Sequence, residues 1–309
     1  MDAARALGPA GPVVNQQIPA PVPGAGEVLV EVHAAGLTAG ELAWPESWPA
    51  TPGHEISGVV AELGPGVTGT AAGQEVYGLI GFDRDGGAAE YVTAPAADLA
   101  VKPAGVDHAG AASMALAALT AWQALVAHAH LAPGQHVLVN GGAGGVGSYA
   151  VQLAAALGAE VTATASARDA AFVAGLGASQ VIDYAGPPID QQVRDVDVVV
   201  DTVGGRAMSR CWPVLRPGGI MVGVASPPPE DEARRHQARA VYFIVEPDRA
   251  ALGGLAELVD TGRLRTTAGC VFPLADAAAA FDALEHQHIP GKIVLSVRPE
   301  PPGAGAPGT

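Results

Sequence analysis

Six short apolar runs, separated by helical or loop stretches, recur along the chain from residue 136 onward. They predict strands at 136–140, 160–165, 180–183, 197–201, 219–224 and 241–245. Val198, Val199 and Val200 form an unbroken apolar run, which is typical of a strand buried on both faces. Strands that alternate with helices in this way predict an α/β fold with a doubly wound parallel sheet.

The first hundred residues have a different pattern. Gly26–His33 alternates partly with a period of two, and Gly and Pro interrupt short runs such as Ile56–Ala61. This pattern predicts a small β-rich, barrel-like domain. A last apolar run, Lys292–Val297, follows a predicted helix at 276–284, and we expect it to return to that first domain. The Pro/Gly-rich composition of residues 299–309 predicts a disordered tail.

A glycine-rich turn joins the first strand of the alternating region to a helix. Gly142, Gly144 and Gly147 form a GxGxxG pattern directly after the run at 137–139, and apolar residues at helical spacing follow. The first glycine permits a tight turn, the second lets backbone N–H groups approach a pyrophosphate, and the third lets the helix pack closely on the strand. Because helix N-termini attract anions, the segment predicts dinucleotide binding. A merely structural glycine turn is the alternative.

The end of the second strand indicates which dinucleotide is bound. An NAD site usually carries Asp or Glu there, about 20 residues after the glycines, to accept the ribose hydroxyls. Here Ser166, Ala167 and Arg168 follow the strand, and a hydroxyl with a guanidinium suits a 2′-phosphate. We therefore predict NADPH as the cofactor. In the alternative interpretation, Arg168 is an ordinary solvated residue that opens the next helix.

Length and charge limit the class of protein. The chain has 309 residues, of which 49% are hydrophobic, enough for two domains with ample cores. A net charge of −15 argues against nucleic acid and anionic membranes as partners. The uncharged run 109–127 is long enough to span a bilayer, but its alanines and polar residues favour a buried helix. With no secretory signal and no cysteine pair, we expect a cytoplasmic protein.

Segments spread over almost the whole chain resemble the zinc-independent medium-chain dehydrogenase/reductases of the quinone oxidoreductase type. They include PGHEISGVVAELGPGVTG, LAALTAWQAL, the glycine turn, DVVVDTVGG, VLRPGGIMVGVAS and the terminal GKIVL. The resemblance implies a GroES-like substrate domain at 1–108 with 269–298 and a Rossmann dinucleotide-binding domain at 109–268. It also implies an NADPH-dependent oxidoreductase that is often a homodimer.

The resemblance further implies cofactor contacts where residues match the family's motifs. Gly144, Gly145 and Val146 correspond to the pyrophosphate-binding turn, within the pattern that Gly142 and Gly147 complete. Thr120 falls near the nicotinamide and phosphates, Ser166 and Arg168 at the 2′-phosphate, and Tyr184 near the adenosine end. The positions where family backbone groups hold the carboxamide are Val224, Ala225, Ser226, Phe243 and Val245, with the last two in the sixth predicted strand.

Two of these assignments keep an alternative. Tyr184 is alternatively a partly buried strand residue. Thr120 is alternatively a helix hydroxyl bonded to its own backbone.

The catalytic zinc ligands of the related alcohol dehydrogenases are not matched. The segment 36–39 contains Thr38 and no cysteine at the first ligand position, and the four-cysteine structural lobe is missing. His54 remains in a Gly-His-Glu motif, but a catalytic zinc centre needs three protein ligands. We therefore predict no metal site and a structural or hydrogen-bonded role for His54.

Without a Lewis acid, reduction of an activated C=C bond is easier than alcohol oxidation, because a conjugated carbonyl delocalises the charge. We expect hydride transfer from nicotinamide C4 to an enone or quinone, with catalysis by positioning in a dry cleft. Thr38 stands where family members commonly have Asn and is the candidate to polarise a substrate oxygen; water is our first choice as proton donor. Trp44, Trp48 and Tyr77 suggest a pocket for a flat ligand, with packing roles as the alternative.

Other functions stay open at this point. An enoyl-thioester reductase of the same superfamily would turn over crotonyl-type thioesters. A non-catalytic NADPH-binding sensor or structural protein would account for the missing Asn and Tyr positions. A metal-dependent alcohol dehydrogenase would bind stoichiometric zinc. The sequence leaves the substrate, the proton donor, the stereochemistry and the oligomeric state undetermined.

Overall fold

The computed structural model describes residues 1–9 and 11–298, so the tail predicted at 299–309 lies outside the described residues. The β-strands are β1 Asp2–Ala6, β2 Val13–Gln17, β3 Glu27–Leu37, β4 Glu55–Leu63, β5 Glu75–Leu79, β6 Tyr91–Pro95, β7 Leu99–Val101, β8 His136–Asn140, β9 Glu160–Ala165, β10 Gln180–Asp183, β11 Val196–Asp201, β12 Leu215–Gly223, β13 Arg239–Tyr242, β14 Ala268–Pro273 and β15 Lys292–Ser296. The α-helices are α1 His108–Ala115, α2 Ala117–Trp122, α3 Gly145–Ala156, α4 Ala170–Ala174, α5 Gly205–Ser209, α6 Glu230–Arg235, α7 Arg249–Asp260 and α8 Ala277–His286.

Contacts divide the described residues into two compact units. The first comprises Met1–Leu119 with the residues from Glu246 onward, and the second comprises Thr120–Val245. The predicted dinucleotide-binding domain, 109–268, therefore includes two helices that pack within the first unit. Helix α1 contacts β3 and β4, and helix α7 contacts β7. Their apolar faces are buried there, which alternation of strands and helices along the sequence does not indicate.

The second unit is built on a six-stranded parallel sheet. Its strand order is β10-β9-β8-β11-β12-β13, and every neighbouring pair is parallel. This order confirms the predicted doubly wound, Rossmann-like sheet. Val198, Val199 and Val200 of β11 are at most 1% exposed, in agreement with a strand covered on both faces. The order reverses between β8 and β11, and ligands of such sheets bind outside the carboxyl ends of the strands at this switch point.

The last predicted strand of this sheet is displaced. Strand β13 pairs with β12 only as far as Tyr242, which lies opposite Gly223 at the end of β12. Phe243 and Val245 therefore follow the strand rather than belonging to it, because no neighbour continues the ladder beyond Gly223. Residues 224–226 likewise follow β12 instead of ending it.

The first unit contains a mainly antiparallel sheet of order β14-β15-β3-β4-β5-β7, with β6 also paired to β3. Strand β15 runs antiparallel to β3, with Ile293 opposite Leu37. The last apolar run of the sequence thus returns to the β-rich domain, as predicted. Helix α8 lies against β15 and β2, and Phe281 of this helix is only 5% exposed.

One helical stretch of the described residues, His108–His128, is long and apolar enough to cross a membrane. It comprises α1, α2 and a π-helical segment, Gln123–His128. Of its most apolar window, 78% is buried inside the protein. This burial agrees with the core helix that the sequence favours, and a helix of this kind is weak evidence for a membrane span.

His108, the first residue of α1, lies in a buried polar cluster of the first unit. Its Nδ1 is 2.8 Å from Ser57 Oγ, and its Nε2 is 3.5 Å from Glu75 Oε1. The ring of His33 lies 4.2 Å away between centroids. Burial, together with the nearby His33 and Lys102, lowers the pKa of His108 to about 4, against a smaller opposing effect of Glu75 and Asp107.

We expect this histidine to make the protein acid-sensitive. The unfolded chain protonates His108 near pH 6.5, whereas the folded chain does so only near pH 4, so folding stability is lost as the pH falls through this window. The loss between pH 7 and pH 4.5 should be about 2 kcal/mol in urea unfolding and should shrink in H108Q. H286Q, at a side chain 68% exposed, is the control. An unchanged pH dependence in H108Q would contradict the assignment.

Candidate functional site

The glycine turn lies at the switch point of the parallel sheet. Strand β8 ends at Asn140, and α3 begins at Gly145 with Gly144 as its N-cap. A Cβ at Gly147 would lie 2.0 Å from Gly141 O, so the close approach of α3 to the turn requires glycine there. Within the described part of the chain, a Cβ at Gly144 would meet only Gly141 O, at an ordinary 3.5 Å. The protein leaves open space beside Gly144, which is where a pyrophosphate needs backbone access.

A buried network of polar side chains holds the glycine turn in position. Asn140 Nδ2 donates to Asp201 Oδ1 at 2.5 Å, and Thr164 Oγ1 donates to Asn140 Oδ1 at 2.7 Å. Gly141 N then donates to Thr164 Oγ1 at 2.9 Å, and Gly204 N donates to Asp201 Oδ2 at 2.7 Å. Burial raises the pKa of Asp201, against the lowering effect of the Asn140 and Gly204 hydrogen bonds. The network joins the carboxyl ends of β8, β9 and β11.

Asn140, Thr164 and Asp201 were not predicted as site residues. A signal was present, since each of these polar residues lies at or next to the end of a predicted buried strand. The carboxyl ends of parallel strands meet at one edge of the sheet. Polar residues at these positions can therefore be expected to approach each other.

The predicted 2′-phosphate residues follow β9. Ser166 directly follows the strand, and its hydroxyl donates to the Asp169 carboxylate. Arg168 lies on the next turn and is exposed, and it forms no ion pair with another described residue. Tyr184 follows β10; its backbone N–H donates to Ala165 O at 3.2 Å, and the residue is 51% exposed. The structure thus brings Ser166 and Tyr184 to neighbouring strand ends and does not support a partly buried strand role for Tyr184.

The remaining predicted cofactor residues occupy two further places of the second unit. Val224 follows β12, and its backbone N–H donates to Asp201 O at 3.0 Å, so it adjoins the network below the glycine turn. The ring of Phe243 lies against that of His128 in a tilted arrangement, with centroids 4.3 Å apart, and Val245 is 8% exposed. Thr120 is buried in α2 and 5% exposed. Their cofactor contacts stay predictions.

In the first unit, Thr38 belongs to a charged cluster. Lys292 Nζ donates to Thr38 Oγ1 at 2.8 Å and forms an ion pair with Glu55 Oε1. Thr38 Oγ1 donates to the same Glu55 oxygen at 3.0 Å, and the Leu116 N–H donates to Glu55 Oε2 at 3.0 Å. The side chains of Glu55 and Lys292 are only 1% and 5% exposed. Burial raises the pKa of Glu55, while Lys292 acts in the opposite direction.

Glu55 and Lys292 were not predicted as site residues. Both lie in motifs that carry the family resemblance, Gly-His-Glu and GKIVL. Each charged residue begins a strand: Glu55 is the first residue of β4, and Lys292 is the first residue of β15. The available signal was a charged residue at the edge of a predicted apolar, buried run. Because buried charges are usually paired, two such residues can be expected to form an ion pair.

The three residues of the predicted aromatic pocket all make packing contacts inside the first unit. Tyr77 is fully buried in β5, and its hydroxyl donates to Leu252 O at 2.6 Å, so it is a packing residue and the pocket assignment is wrong. Trp48 packs against a core cluster of the first unit. Trp44 lies 4.8 Å from Phe82 and 5.8 Å from His54 between ring centroids. Both tryptophans are half-buried, and their contact with a substrate stays a prediction.

The surroundings of His54 do not fit a zinc centre. Its Nε2 lies 3.2 Å from Arg84 O, and its Nδ1 lies 3.8 Å from Glu41 Oε2. Among residues 1–9 and 11–298, no three His, Cys, Asp or Glu side chains are grouped so that they could hold a metal ion. A catalytic zinc site needs three such protein ligands. The donor set around His54 is therefore incomplete for zinc.

Comparison with known proteins agrees with this architecture. The family described as "Alcohol dehydrogenase GroES-like domain" matches residues 24–104, and the family described as "Zinc-binding dehydrogenase" matches residues 176–295. A probable zinc-binding oxidoreductase, mitochondrial, from Arthroderma benhamiae is 31% identical over 94% of each chain. An NADPH-dependent alkenal/one oxidoreductase, chloroplastic, from Arabidopsis thaliana is 32% identical over 87% of this chain and 72% of its own.

Among solved structures, the quinone oxidoreductase from Coxiella burnetii is similar to this chain with a TM-score of 0.87 and 32% identity, covering 96% of this chain and 99% of its own. The chain therefore belongs to the quinone oxidoreductase-like proteins of the medium-chain dehydrogenase/reductase superfamily. It is an oxidoreductase that uses a nicotinamide cofactor.

The comparisons correct one expectation. The sequence led us to expect a cytoplasmic protein, but the two relatives named above are described as mitochondrial and chloroplastic. The prediction of a cytoplasmic location is therefore contradicted. It rested on the absence of a secretory signal, and that criterion does not detect signals for these organelles.

Proposed function

We propose that this protein is a zinc-independent, NADPH-dependent reductase of quinones or α,β-unsaturated carbonyl compounds. The observation that carries the proposal is the polar surroundings of Thr38, whose hydroxyl accepts from Lys292 and donates to Glu55, so that a substrate oxygen can be held by hydrogen bonding without a metal ion. The incomplete donor set at His54 supports it further. So do the relatives, one described as an alkenal/one oxidoreductase and one as a quinone oxidoreductase.

The glycine turn fits a dinucleotide. When bound, the nicotinamide cofactor supplies a hydride. The open space at Gly144 gives backbone N–H groups access to the pyrophosphate, and the N-terminus of α3 favours its charge. The exposed guanidinium of Arg168, with Ser166 and Tyr184 nearby, suits the 2′-phosphate and adenosine end of NADPH. Thr38 holds the substrate oxygen through its hydroxyl group, so that the carbonyl is polarised as hydride arrives.

The experiment that tests this proposal is NADPH oxidation, followed by absorbance, against quinones, enones and a crotonyl thioester. Parallel assays use NADH as reductant and EDTA as chelator. We expect turnover of enones or quinones that prefers NADPH and is insensitive to EDTA. Turnover of the thioester alone would identify an enoyl-thioester reductase. NADPH binding without any turnover would favour a non-catalytic protein, and loss of activity with EDTA would favour a zinc enzyme.

Cofactor preference gives a separate prediction. Arg168 is exposed and forms no ion pair within the described residues, so its removal should leave folding stability unchanged. We expect R168A to weaken NADPH binding about 10- to 100-fold and NADH binding little, because NADH lacks the 2′-phosphate. Titration of the nicotinamide fluorescence with each cofactor measures both dissociation constants, and R194A, at another exposed arginine of the same unit, is the control. Equal effects on NADPH and NADH would refute the 2′-phosphate assignment.

We further propose that the protein is a homodimer that pairs through β13. This strand is at the edge of the parallel sheet, and among the described residues it has only β12 as a neighbour. Tyr242 and Ile244 expose 43% and 64% of their surface at this edge. An unpaired edge strand with apolar side chains is suited to pairing with a second chain. A monomeric mass by light scattering at micromolar concentration would defeat this proposal.

A further inference from the structure

The ammonium group of Lys292 has a complete set of acceptors inside the first unit. It donates to Leu37 O at 2.5 Å and to Thr38 Oγ1 at 2.8 Å, and its third partner is Glu55. An ammonium group has three donors, so all of them are used. These acceptors hold the ammonium group in one position, in hydrogen-bond contact with the Thr38 hydroxyl.

The cluster has an inner and an outer end. Lys292 and Glu55 are almost completely buried, whereas Thr38 is half-buried and therefore the member that solvent or a ligand can reach. Burying two charges is costly, and an apolar pair of similar volume would often stabilise a fold as well or better. Stability alone therefore does not explain the buried pair of Glu55 and Lys292, which indicates a chemical role.

Proton transfer is a role that fits the geometry. A threonine hydroxyl alone is a poor acid, but a hydroxyl that accepts a hydrogen bond from an ammonium group can give away its own proton and receive another. The Thr38 hydroxyl donates to Glu55 Oε1, with 3.0 Å between the two oxygen atoms. Rotation about the Cβ–Oγ1 bond of Thr38 redirects the hydroxyl hydrogen to a substrate oxygen, while the Thr38 oxygen continues to accept from Lys292. Glu55 Oε1 is shared by Lys292 and Thr38, so the three side chains form one continuous hydrogen-bonded cluster along which a proton can move.

We propose that Lys292, Glu55 and Thr38 form a proton relay that protonates the anion produced by hydride transfer. This inference rests on the proposed reductase function and names its proton source. Thr38 is the catalytic residue, since it alone touches the substrate. Lys292 and Glu55 are positioning residues that act through Thr38. The relay replaces water, which was the first choice from the sequence.

When the substrate is an enone, hydride from NADPH forms a C–H bond at its β-carbon, the C=C π electrons move towards the carbonyl oxygen, and NADP⁺ and an enolate result. The Thr38 O–H bond breaks as an O–H bond forms on the enolate, and a Lys292 N–H bond breaks as Thr38 regains its proton. The enol becomes the ketone in water, and Lys292, left as an amine beside the Glu55 carboxylate, regains a proton from water.

The test uses variants that separate the relay from the fold. T38V removes the hydroxyl, T38S keeps it, and E55Q/K292M removes both charges together so that no buried charge is left alone. E27Q/R84M is the matched control, because it neutralises another ion pair of the first unit, one with side chains 20% and 30% exposed. Each variant is assayed for 2-cyclohexenone reduction, for NADPH binding and for thermal unfolding.

We expect kcat to fall about 100-fold in T38V and in E55Q/K292M, with NADPH binding unchanged. T38S, which restores a hydroxyl group, should recover most of the activity that T38V loses, and E27Q/R84M should keep the wild-type kcat. The two impaired variants should be accelerated by raising the concentration of buffer acid, which then supplies the proton, whereas the wild type should not. Combining T38V with E55Q/K292M should cost no more than T38V alone, since the residues act as one unit.

A folded E55Q/K292M with wild-type kcat would overturn the relay and leave the proposed function standing. If that variant does not fold, T38V decides, and an unchanged kcat in T38V overturns the relay. A wild-type protein that oxidises no NADPH with any substrate would overturn the proposed function, and the relay with it.

Discussion

Replacing Gly147 by alanine should abolish cofactor binding and weaken the fold, whereas replacing Gly144 by alanine should weaken cofactor binding alone. The Cβ of G147A would lie 2.0 Å from Gly141 O and 3.1 Å from Gly142 Cα, both backbone atoms that have no free direction to move. We expect the free energy of unfolding to fall by about 3 kcal/mol, the upper range for overpacking. The turn must open to accommodate the methyl group, so NADPH affinity should fall by more than about 100-fold.

The G144A variant is the matched comparison. Its methyl group would meet no atom of residues 1–9 and 11–298 closer than 3.5 Å, so the free energy of unfolding should change by less than about 1 kcal/mol. The same methyl group occupies the space that we assign to the pyrophosphate, and loss of these charged hydrogen bonds should reduce NADPH affinity about 100-fold. Urea unfolding and fluorescence titration measure the two effects. A G144A protein with wild-type affinity would contradict the placement of the pyrophosphate.

Replacing Lys292 by methionine should produce the second large effect. The Glu55 carboxylate, 1% exposed, would lose its counter-ion and keep only the Leu116 N–H and Thr38 as partners. Removing one partner of a buried ion pair costs about 3–5 kcal/mol, while E55Q/K292M should recover most of this loss. K102M is the control, because Glu75, the partner of Lys102, is 55% exposed and remains solvated. The free energy of unfolding of K102M should be lower than that of the wild type by about 1 kcal/mol or less.

The loss in K292M should depend on pH. Burial already raises the pKa of Glu55, and removing Lys292 removes an influence that lowers it. A carboxyl whose pKa is higher in the folded than in the unfolded chain favours the folded state at low pH and disfavours it as the pH rises. K292M should therefore be less destabilised relative to wild type at pH 5 than at pH 8 in urea unfolding. A small loss, equal to that of K102M at both pH values, would show that Glu55 does not depend on Lys292.

Local patterns in the sequence were sufficient for the parallel sheet and for the glycine turn. A buried strand and the turn that follows it are encoded by neighbouring residues, so the runs at 136–140 and 160–165 coincide with β8 and β9. The period-two pattern of the first hundred residues indicated the β-rich domain, and the order and spacing of the family motifs gave its limits. Strand ends were less accurate, since β13 ends where its pairing with β12 ends and not where the apolar run ends.

The polar parts of the candidate site could not be predicted from local patterns. Thr38 and Lys292 are 254 positions apart, and their hydrogen bond exists because β15 pairs with β3. The apolar surroundings of Tyr77 are likewise tertiary, since its hydroxyl binds a carbonyl of α7, 175 residues away. Spacing in the sequence identifies candidate residues, but only the fold determines which of them are buried together.

The measurement that tests the central claim most directly is isotope transfer from NADPH deuterated at the transferable C4 position. Protein treated with EDTA is incubated with this cofactor and 2-cyclohexenone, and the product is analysed by NMR. Our account predicts cyclohexanone with deuterium at the β-carbon, formed at the same rate with and without EDTA. A product without deuterium, or a reaction that needs added zinc, would contradict metal-independent hydride transfer to an enone.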